Sequence, residues 1–578
     1  MARQTKSKTR SSGKGEGFAP DLAEAKQLWE QTTLKAELER KPEKKAEFRT
    51  LGGEYPVKGL YTPAGGDPAE YLRDTGFPGQ HPFTRGRYAV GYRNFEWPHD
   101  FYTGYGGGED ANQRYRQLVG HGATSLTMAM DLPTQLGYDP DHPMAAGEAG
   151  RVGVAVGSLR DAEDLLEGIP LDRVGISTVG NCIGPYIVAL FRAVGHVKGY
   201  DPRRMRVRLQ NDPLKEYTGR GTHIFPIRMA VDLAMDVVEY VIGDLPGWIP
   251  QYVCSTQVRW GGVGPAEETA FGIANFLTYV EAGLARGLKL EQLAPTMDLH
   301  MSTEGDIFEE VAKFRATRRL FAKLIKERYN VDDPGIAGLR LSTYTSGHRL
   351  TAQQPLNNVV RSTLHVLAAM LGGVEHIWAP AYDEALALPT YESTRVAQLT
   401  KQIIHHESGV TNTVDPLAGS YFMEDLTARL EEEARLILDQ VDGMGGAIPA
   451  IEAGFYDRKM VEGTVRYQRQ VDSGERVVIG VNRFQEPEEQ PVTIFQVHPE
   501  TEQRLVERVV KLRRERDGAR AKETLARLQD ACRRKVEDDQ RYNTVPAMLE
   551  AVQASCTVGE IFGVMRAAFG EHVHPGIF

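Results

Sequence analysis

A short segment, QYVCSTQVRWGG at residues 251–262, carries polar side chains that are able to do chemistry. Its β-prone start is typical of a buried strand, yet Cys254, Ser255 and Thr256 stand where a packed core would place Val, Ile or Leu. Gln257 follows directly, and its amide is able to donate a hydrogen bond to a bound carbonyl group. The segment therefore predicts a ligand that passes close to this strand.

Small hydroxyl side chains recur along several of the predicted strands. Side chains alternate along a strand, so about half of these hydroxyls should point inward. They leave volume unfilled and offer donors and acceptors, which a dry core would penalise. The pattern predicts a ligand along the axis of a barrel; the alternative is that the hydroxyls bond neighbouring backbone or lie under helices. The residues concerned are Thr127, Ser177, Ser255, Ser342, Thr343, Thr345 and Ser346.

The elements that must position these side chains form a regular alternation. Between about residues 120 and 430, eight β-like runs alternate with stretches of helical period, which predicts an α/β fold built as one (β/α)8 TIM barrel. A doubly wound open sheet is the alternative, but no G-x-G-x-x-G follows any of the runs. The runs are SLTMAMDL, RVGISTV, RVRLQND, QYVCSTQ, APTMDLHM, LRLSTYTS, VEHIWAPA and NTVDPLAG.

Four segments are predicted along the chain. The arm has apolar anchors in a Gly/Pro-rich stretch, at Phe48, Leu51, Tyr55 and Tyr61. The charged helical pattern near the C-terminus is more typical of a solvated surface than of a docking face. The segments are a disordered basic tail (1–17), an N-terminal arm (18–114), a substrate-binding barrel (115–435) and a C-terminal helical region (436–578).

Composition excludes several function classes. The chain has 578 residues and a net charge of −10, with no basic stripe of interleaved aromatics, so nucleic-acid binding is not expected. No apolar run approaches the roughly 20 residues that cross a bilayer, so no membrane span is expected. The four cysteines are widely spaced, which argues against a disulfide framework and a structural zinc and fits a reducing cytoplasm. We expect no metal ligand set.

Eight longer blocks of sequence carry a family resemblance. They are PFTRGRY at 82–88, DLPTQLGYDPDHP at 131–143, LQNDPLKEY at 209–217, EEVAKFRATRRLFA at 309–322, LTAQQPLNNVVRS at 350–362, DEALALPT at 383–390, ESGVTNTVDPLAGSYFMEDLT at 407–427 and SGERVVIGVNRF at 473–484. In this order they resemble the large, substrate-binding subunit of the methylmalonyl-CoA mutase family, from about residue 50 to the C-terminus.

The resemblance implies an isomerase that uses adenosylcobalamin for a radical 1,2-rearrangement of a carbon skeleton, in a barrel whose bore holds an acyl-CoA substrate. The family's cobalamin domain carries D-x-H-x-x-G and follows the barrel. Here the chain stops at HPGIF, and DLHMSTEG at 298–305 lies on a predicted barrel strand without the required glycine. The resemblance therefore implies a separate small cobalamin-binding subunit that shares the cofactor. A G-protein chaperone and an oligomer of barrel subunits are further expectations.

Individual roles follow from the positions that match. Tyr102 falls on the tyrosine that lies against corrin and substrate, and Arg220 on the arginine that clamps a substrate carboxylate with its planar guanidinium. Gln257 replaces a histidine that hydrogen-bonds the thioester carbonyl; a glutamine donates a hydrogen bond but gives up no proton. These three are the predicted catalytic residues.

The remaining predicted site residues divide into two groups. Contacts to substrate are predicted for Gln210, Thr127, Ser177, Ser255, Ser342, Tyr344 and Arg259. Contacts to the cobalamin cofactor are predicted for Gln135, Gly347, His348 and Glu384.

Several ligand-contacting positions depart from the family together. Glu96 and Asp100 stand where two arginines lie near the CoA phosphates, and Arg208, Arg259 and His348 are candidate compensations. We therefore expect a substrate other than methylmalonyl-CoA. Three hypotheses remain: an acyl-CoA mutase, a mutase for an unusual substrate not attached to CoA, and a non-catalytic homologue that binds a partner subunit.

Overall fold

The computed structural model describes most of the chain. The predicted tail and two of the predicted arm anchors, Leu51 and Tyr55, lie outside the described residues. Of the other anchors, Phe48 is buried and Tyr61 is exposed. The described ranges are 21–49, 56–63, 67–486 and 492–573.

Eight parallel strands form the centre of the molecule. Hydrogen bonds join them in sequential order into two sheets, β1-β2-β3-β4 and β5-β6-β7-β8. A parallel bridge between Arg208 of β4 and Ile249 links the two sheets. The strands are β1 (Tyr102–Thr103), β2 (Ser125–Met128), β3 (Gly175–Val179), β4 (Val207–Gln210), β5 (Gln251–Cys254), β6 (Met297–Thr303), β7 (Leu341–Thr345) and β8 (His376–Trp378).

The two sheets face each other around one axis. Trp378 Nε1 of β8 donates to Thr127 Oγ1 of β2 at 2.9 Å, so the last strand lies close to the first strands. One cavity is lined by side chains from all eight strands, which requires the strands to surround it. The predicted α/β class with parallel strands is confirmed, and the arrangement is that of a (β/α)8 barrel.

One predicted strand is wrong. Residues 412–419, NTVDPLAG, form turns, because Asp415 has a positive φ of 48° and Pro416 follows it. Asp415 is buried between two arginines, with a carboxylate oxygen 3.5 Å from Arg85 and 3.3 Å from Arg315. The eighth strand is instead β1, which lies within the predicted arm. The segment boundaries stay predictions.

Helices connect and surround the strands. The first half of the chain contains α1 (Leu22–Trp29), α2 (Lys35–Arg40), α3 (Pro68–Glu70), α4 (Gly108–Gly120), α5 (Leu132–Gln135), α6 (Leu159–Leu165), α7 (Gly184–Val197), α8 (Ile227–Asp244), α9 (Thr256–Trp260), α10 (Pro265–Ala285) and α11 (Leu290–Leu293).

Local signals fix where helix α12 (Ile307–Tyr329) begins and ends. Asp306 caps its start, accepting a hydrogen bond from the backbone of Glu309 at 3.1 Å. Asn330 ends it in the left-handed conformation, with φ at 56°. The second half of the chain contains α12 (Ile307–Tyr329), α13 (Pro334–Ala337), α14 (Asn357–Leu371), α15 (Tyr391–Glu407), α16 (Tyr421–Gly443), α17 (Ala447–Glu452), α18 (Phe455–Ser473), α19 (Thr501–Glu515), α20 (Gly518–Glu537), α21 (Val545–Gln553) and α22 (Val558–Phe569).

The C-terminal helices are charged outside but joined to the barrel by buried ions. Lys535 of α20 is fully buried and lies 2.8 Å from Asp236 and 2.7 Å from Asp232, both on α8. Arg286 contacts Asp236 at 2.8 Å, and the Thr544 hydroxyl donates to Asp236 at 2.9 Å. Asp236 therefore connects the last helices to the barrel wall.

Replacing Asp236 with Ala should destabilise the protein strongly. The change leaves Lys535 and Arg286 with one carboxylate fewer in a buried site, and breaking a buried pair costs roughly 3–5 kcal/mol. We expect the thermal midpoint to fall by several degrees. Asp530→Ala on the exposed face of α20 is the matched control, with an effect within about 0.5 kcal/mol. Equal midpoints for the two variants would contradict this account.

Candidate active site at the carboxyl ends of the barrel strands

A cavity of about 220 Å³ lies inside the barrel, at the carboxyl ends of the strands. In barrels of this type, the carboxyl-end face is where binding and catalytic residues collect. Each strand contributes at least one side chain, and the loops that follow add the rest. The lining residues are Tyr102, Thr127, Val179, Gln210, Lys215, Arg220, Tyr252, Cys254, Thr256, Gln257, Trp260, His300, Tyr344, Trp378 and Glu384.

One wall of the cavity has more positive than negative charge. Arg220 Nη1 lies 3.3 Å and Lys215 Nζ 3.6 Å from the same oxygen of Glu216, which is fully buried. Burial opposes the charge of Arg220, but Glu216 and then Tyr102 raise the pKa of this guanidinium above its ordinary value. Two cations thus share one carboxylate. This wall is suited to receive a second carboxylate from a ligand.

The segment after β5 presents a hydrogen-bond donor. The strand ends at Cys254, and Gln257 lies in the first turn of α9, so the predicted strand 251–257 is three residues too long. The Oε1 atom of Gln257 accepts hydrogen bonds from the Thr256 hydroxyl at 2.7 Å and the Cys254 thiol at 3.2 Å. These bonds hold the amide. Its Nε2 group has no acceptor among the described contacts and is available to a ligand.

Aromatic rings surround the mouth of the cavity. Tyr344 lies edge-on to Tyr102 at 6.4 Å and to Trp260 at 5.8 Å between ring centroids. Burial raises the pKa of Tyr102, although Arg220 opposes the shift, so the phenol stays protonated at neutral pH. The Tyr344 hydroxyl donates to Glu384 at 3.1 Å.

Glu384 is the titratable group of this mouth. Glu384 is exposed to solvent and lies at the rim of the cavity. Desolvation raises the pKa of Glu384 to about 7, although the hydrogen bond from Tyr344 favours the charged form. Near neutral pH this carboxyl group is therefore able both to donate and to accept a proton.

A layer of polar side chains closes the barrel directly below the cavity. Each member lies two residues before a lining residue of the same strand, so it points inward one layer lower, by roughly 6–7 Å. All are buried or nearly so. We call this layer the bore cluster; it consists of Asp100, Arg208, Asp298, Ser342 and His376.

The bore cluster joins opposite sides of the barrel. Arg208 Nη1 of β4 lies 2.7 Å from His376 Nδ1 of β8, and Arg208 also donates to Asp298 and to Ser342 Oγ. Because a guanidinium only donates, His376 Nδ1 must accept, and Nε2–H donates to Asp100 at 3.0 Å. Burial lowers the pKa of His376, which agrees with this neutral ring.

The ligand along the barrel axis stays a prediction, and this layer shows which hydroxyl residues have protein partners in the structure. The cavity is hollow and polar at the carboxyl ends, but ion pairs and hydrogen bonds fill the interior below it. Trp378, in the cavity floor, stacks on His376 with 3.7 Å between ring centroids. The hydroxyl pattern therefore reports a ligand space in the upper layer and a bonded network in the lower one.

The structure brings together about half of the residues predicted from the sequence. Tyr102, Arg220, Gln257, Gln210, Thr127, Tyr344 and Glu384 line the cavity. Their functional roles stay predictions.

Other predicted residues have different surroundings. Ser342 belongs to the bore cluster, and Ser177 is buried in the same layer without a hydrogen-bond partner among the described residues. Ser255 lies near Glu268, with 3.4 Å between their oxygens. Gln135 donates to the backbone of Met130. None of these four predicted positions is among the residues that line the cavity.

The predicted compensating cations are bound elsewhere. Arg259 is buried among carboxylates, 3.3 Å from Glu304 and 3.4 Å from Glu310, and it faces a neighbouring cleft. His348 lies 3.3 Å from Glu304. Arg208 belongs to the bore cluster. Gly347 lies beside the mouth, where a side chain at this position would approach Glu384 to 3.1 Å.

Sequence reasoning missed several lining residues. Lys215 lies in the block LQNDPLKEY. A charged residue just after the carboxyl end of β4 is the sequence feature that could have identified it as a lining residue. Two of the missed ring side chains, His300 and Trp378, lie two residues after a bore-cluster residue of the same strand. The other two, Tyr252 on β5 and Trp260 on α9, have no such spacing.

Comparisons with known proteins agree with the predicted resemblance. The family model described as methylmalonyl-CoA mutase matches residues 51–571. The chain is 37% identical to the 2-hydroxyisobutanoyl-CoA mutase large subunit of Aquincola tertiaricarbonis, over 95% of this chain and 97% of that protein. It is 36% identical to the methylmalonyl-CoA mutase of Rhizobium meliloti, over 89% of this chain and 72% of that protein. It is 35% identical to the methylmalonyl-CoA mutase of Cereibacter sphaeroides, over 93% of this chain and 74% of that protein.

Glu384 should make stability depend on pH. The folded-state pKa, about 7, lies above the ordinary 4.5, so the folded chain keeps a proton that the unfolded chain has lost. The stability from this group is full below about pH 4.5 and is lost as the pH rises through 7. Glu384→Gln removes this pH dependence. The thermal midpoint of the variant, relative to that of the parent protein, should therefore rise between pH 5 and pH 8. Glu392→Gln, at an exposed position of α15, controls for the loss of a surface charge. A midpoint difference for Glu384→Gln that stays constant over this range would count against the assignment.

Proposed function

The chain belongs to the methylmalonyl-CoA mutase family, and from this premise we propose that it is the large subunit of an adenosylcobalamin-dependent mutase. It rearranges the carbon skeleton of a carboxylate-bearing substrate other than methylmalonyl-CoA. The observation that carries the proposal is the cavity wall in which Arg220 and Lys215 share Glu216, placed at the carboxyl ends of a barrel in this family. A small cobalamin-binding subunit is the proposed partner, supported by the relative named as a large subunit.

The residues at the mouth of the cavity fit the edge of a large flat cofactor. The rings of Tyr102, Trp260 and Tyr344 offer apolar faces, and Gly347 leaves no side chain between the mouth and Glu384. When bound, adenosylcobalamin supplies the radical chemistry that a skeletal rearrangement needs. We propose that Tyr102, Gly347, Tyr344 and Glu384 form the part of the cobalamin site that this chain contributes.

The chain's own residues bind, orient and enclose the substrate. Arg220 and Lys215 hold its carboxylate by charge-assisted hydrogen bonds, and Gln210 lies beside them, accepting from Lys215. Gln257 donates through Nε2 to a carbonyl oxygen of the migrating group. Reactive radicals must be kept from water, and the ring of aromatic side chains limits access to the cavity once the partner covers it.

The absence of the family histidine has a chemical consequence. Gln257 is able to polarise a carbonyl group but not to protonate it, and general acid help is worth about 10²–10⁴-fold where it operates. Glu384, with its pKa of about 7, is the group in this cavity that holds an exchangeable proton at neutral pH. We propose Glu384 as a second contributor of hydrogen bonding to the reacting group.

Two substrate classes fit this function. The names of the relatives support an acyl-CoA thioester. The bore cluster supports the second class, a substrate without coenzyme A, because it fills the axis through which a CoA chain would run.

A G-protein chaperone, an oligomer and a cytoplasmic location are further proposals. The four cysteines are unpaired and buried, which agrees with a reducing compartment. In the described part of the chain, no helix combines the length and apolar character needed to cross a membrane.

Cobalamin uptake tests the proposed function. We expect the chain, mixed with a small cobalamin-binding subunit, to retain adenosylcobalamin on gel filtration, and neither protein alone to retain it as tightly. Tyr344→Ala, at the mouth, should weaken retention. Tyr421→Ala, an exposed aromatic on α16, is the matched control and should not. Equal retention with and without the large chain would defeat the proposal.

Replacing Arg220 with Ala should weaken binding of carboxylate-bearing ligands by at least about tenfold, because a charge-assisted clamp is lost. Ligands of the same skeleton with an amide in place of the carboxylate should bind the parent and the variant alike. Arg228→Ala, at an exposed pair with Glu452, is the matched control. Affinities are measured by calorimetry on the full chain. An equal loss for acids and amides would refute the clamp.

A further inference from the structure

We infer that a cleft beside the active-site cavity binds the phosphate or diphosphate group of a nucleotide-sized molecule. The cleft lies on the carboxyl-end face of the barrel, between the loops that follow α9, β6 and β7 on one side and helix α18 on the other. It shares no lining residue with the cavity, so it is a separate site. We call it the arginine cleft, after the five arginines that line it: Arg259, Arg349, Arg361, Arg466 and Arg476.

Three carboxylates also line the arginine cleft, and each has a partner within the protein. Glu304 accepts a hydrogen bond from Arg349 at 3.0 Å and lies 3.3 Å from Arg259. Asp306 caps the start of α12, and Glu309 lies 3.9 Å from Arg259. Five guanidinium groups thus face three carboxylates, which leaves an excess of two positive charges. A doubly charged phosphate group would balance this excess.

The excess is carried by three arginines that have no ion-pair partner among the described residues. Arg361 donates only to neutral oxygen atoms, two on side chains and one on the backbone, each at 2.8 Å. Arg466 and Arg476 are exposed, and neither pairs with a carboxylate in the described ranges. A guanidinium group donates two parallel hydrogen bonds to phosphate oxygens, so these three side chains are suited to a phosphate group.

Two guanidinium groups are held close together by one aromatic ring. Arg349 lies over the ring of Tyr467 at 4.1 Å from its centroid, and Arg476 lies over the same ring at 5.1 Å. Like charges so close to each other repel, and Glu304 neutralises Arg349 only in part, because it is shared with Arg259. An anion bound beside Tyr467 would reduce this repulsion.

A buried histidine is a second and independent sign of a ligand. His365 of α14 lines the cleft and is 3% exposed, and its Nδ1 atom has no hydrogen-bond partner among the described residues. Its Nε2 atom lies 3.7 Å from the position that a Cβ atom would take at Gly305, another lining residue. Leaving a buried polar atom unpaired costs free energy, so a polar group of the ligand is expected to complete this contact.

The size and the apolar surface of the cleft fit more than a free ion. Its volume is about 520 Å³, within the roughly 300–1,000 Å³ that pockets for small molecules occupy. Leu364 and Val477 line it and are 39% and 43% exposed, so they offer apolar contacts beside the guanidinium groups. The cleft is therefore suited to a molecule that joins a phosphate or diphosphate group to a less polar part. A nucleotide and the nucleotide end of coenzyme A share this chemistry.

Binding of pyrophosphate to the full chain tests the inference. The protein is titrated calorimetrically with pyrophosphate in magnesium-free buffer at 0.15 M sodium chloride, and we expect saturable binding. The double variant Arg466→Ala with Arg476→Ala should weaken this binding by at least about tenfold, because two charge-assisted contacts are lost. Both side chains are exposed, so the variant should fold like the parent protein.

Two control variants separate the arginine cleft from other cationic surfaces. Arg469→Ala removes an exposed arginine of α18 that does not line the cleft, and the affinity for pyrophosphate should stay within about twofold. Arg220→Ala changes the active-site cavity and should also leave the affinity within about twofold. A tenfold loss in either control would place the anion elsewhere and overturn the inference, as would the absence of saturable binding to the parent protein.

Competition identifies the molecule that carries the phosphate group. ADP and coenzyme A are each titrated against the pyrophosphate complex, and we expect at least one of them to displace pyrophosphate from the parent protein. Displacement by ADP alone indicates a free nucleotide, and displacement by coenzyme A alone indicates the substrate's own nucleotide end. Displacement by both indicates recognition of the diphosphate group they share. Failure of both to displace pyrophosphate would overturn the inference of a nucleotide-sized ligand.

Discussion

The hydrogen bond between Arg208 and His376 sets the shape of the active site, because it joins opposite strands through the middle of the barrel. A buried guanidinium must be paired, and removing one partner of such a pair costs roughly 3–5 kcal/mol. Asp298, Ser342 and Asp100 complete the pairing. The cluster is a polar layer below the cavity, and within it Asp100 Oδ1, Arg208 Nε and Asp298 Oδ1 keep no hydrogen-bond partner among the described residues.

Electrostatics then distinguishes the two layers. The bore cluster and its neighbour Lys401 are balanced in charge, whereas in the wall of the cavity above it two cations, Arg220 and Lys215, share the single carboxylate of Glu216. Hydrogen-bond donation and proton exchange are assigned to different side chains: we propose Gln257, after β5, for the first and Glu384, after β8, for the second. The mouth beside them is aromatic, and we propose that the cobalamin-binding subunit docks there.

Much of this was visible in the sequence. Alternation of β-like and helical runs located seven of the eight strands, because buried parallel strands and amphipathic helices have distinct periods. Family motifs placed Tyr102, Arg220 and Gln257 at one site. The strand β1 was missed because it is only two residues long. NTVDPLAG was mistaken for a strand because it begins with β-prone residues, whereas in the structure it forms turns in which Asp415 pairs with Arg315.

The closed bore was beyond sequence reasoning for a different reason. Arg208 and His376 are 168 residues apart, and nothing in either neighbourhood indicates that they meet. Hydroxyl residues on strands indicate polarity but not the layer in which they lie. Ser342 and Thr127 therefore looked alike, although Ser342 lies within the bore cluster and Thr127 lines the cavity while donating to Asp100. The spacing of two between floor and lining residues becomes meaningful only when the barrel register is known.

A crystal structure of the chain with its small subunit, adenosylcobalamin and a carboxylate-bearing acyl ligand tests the central claim most directly, since it shows which side chains the ligand contacts. The account predicts that the ligand carboxylate lies within hydrogen-bond distance of Arg220 and Lys215 and that its carbonyl oxygen accepts from Gln257. A ligand carboxylate placed elsewhere, with Arg220 paired to Glu216 alone, would contradict it.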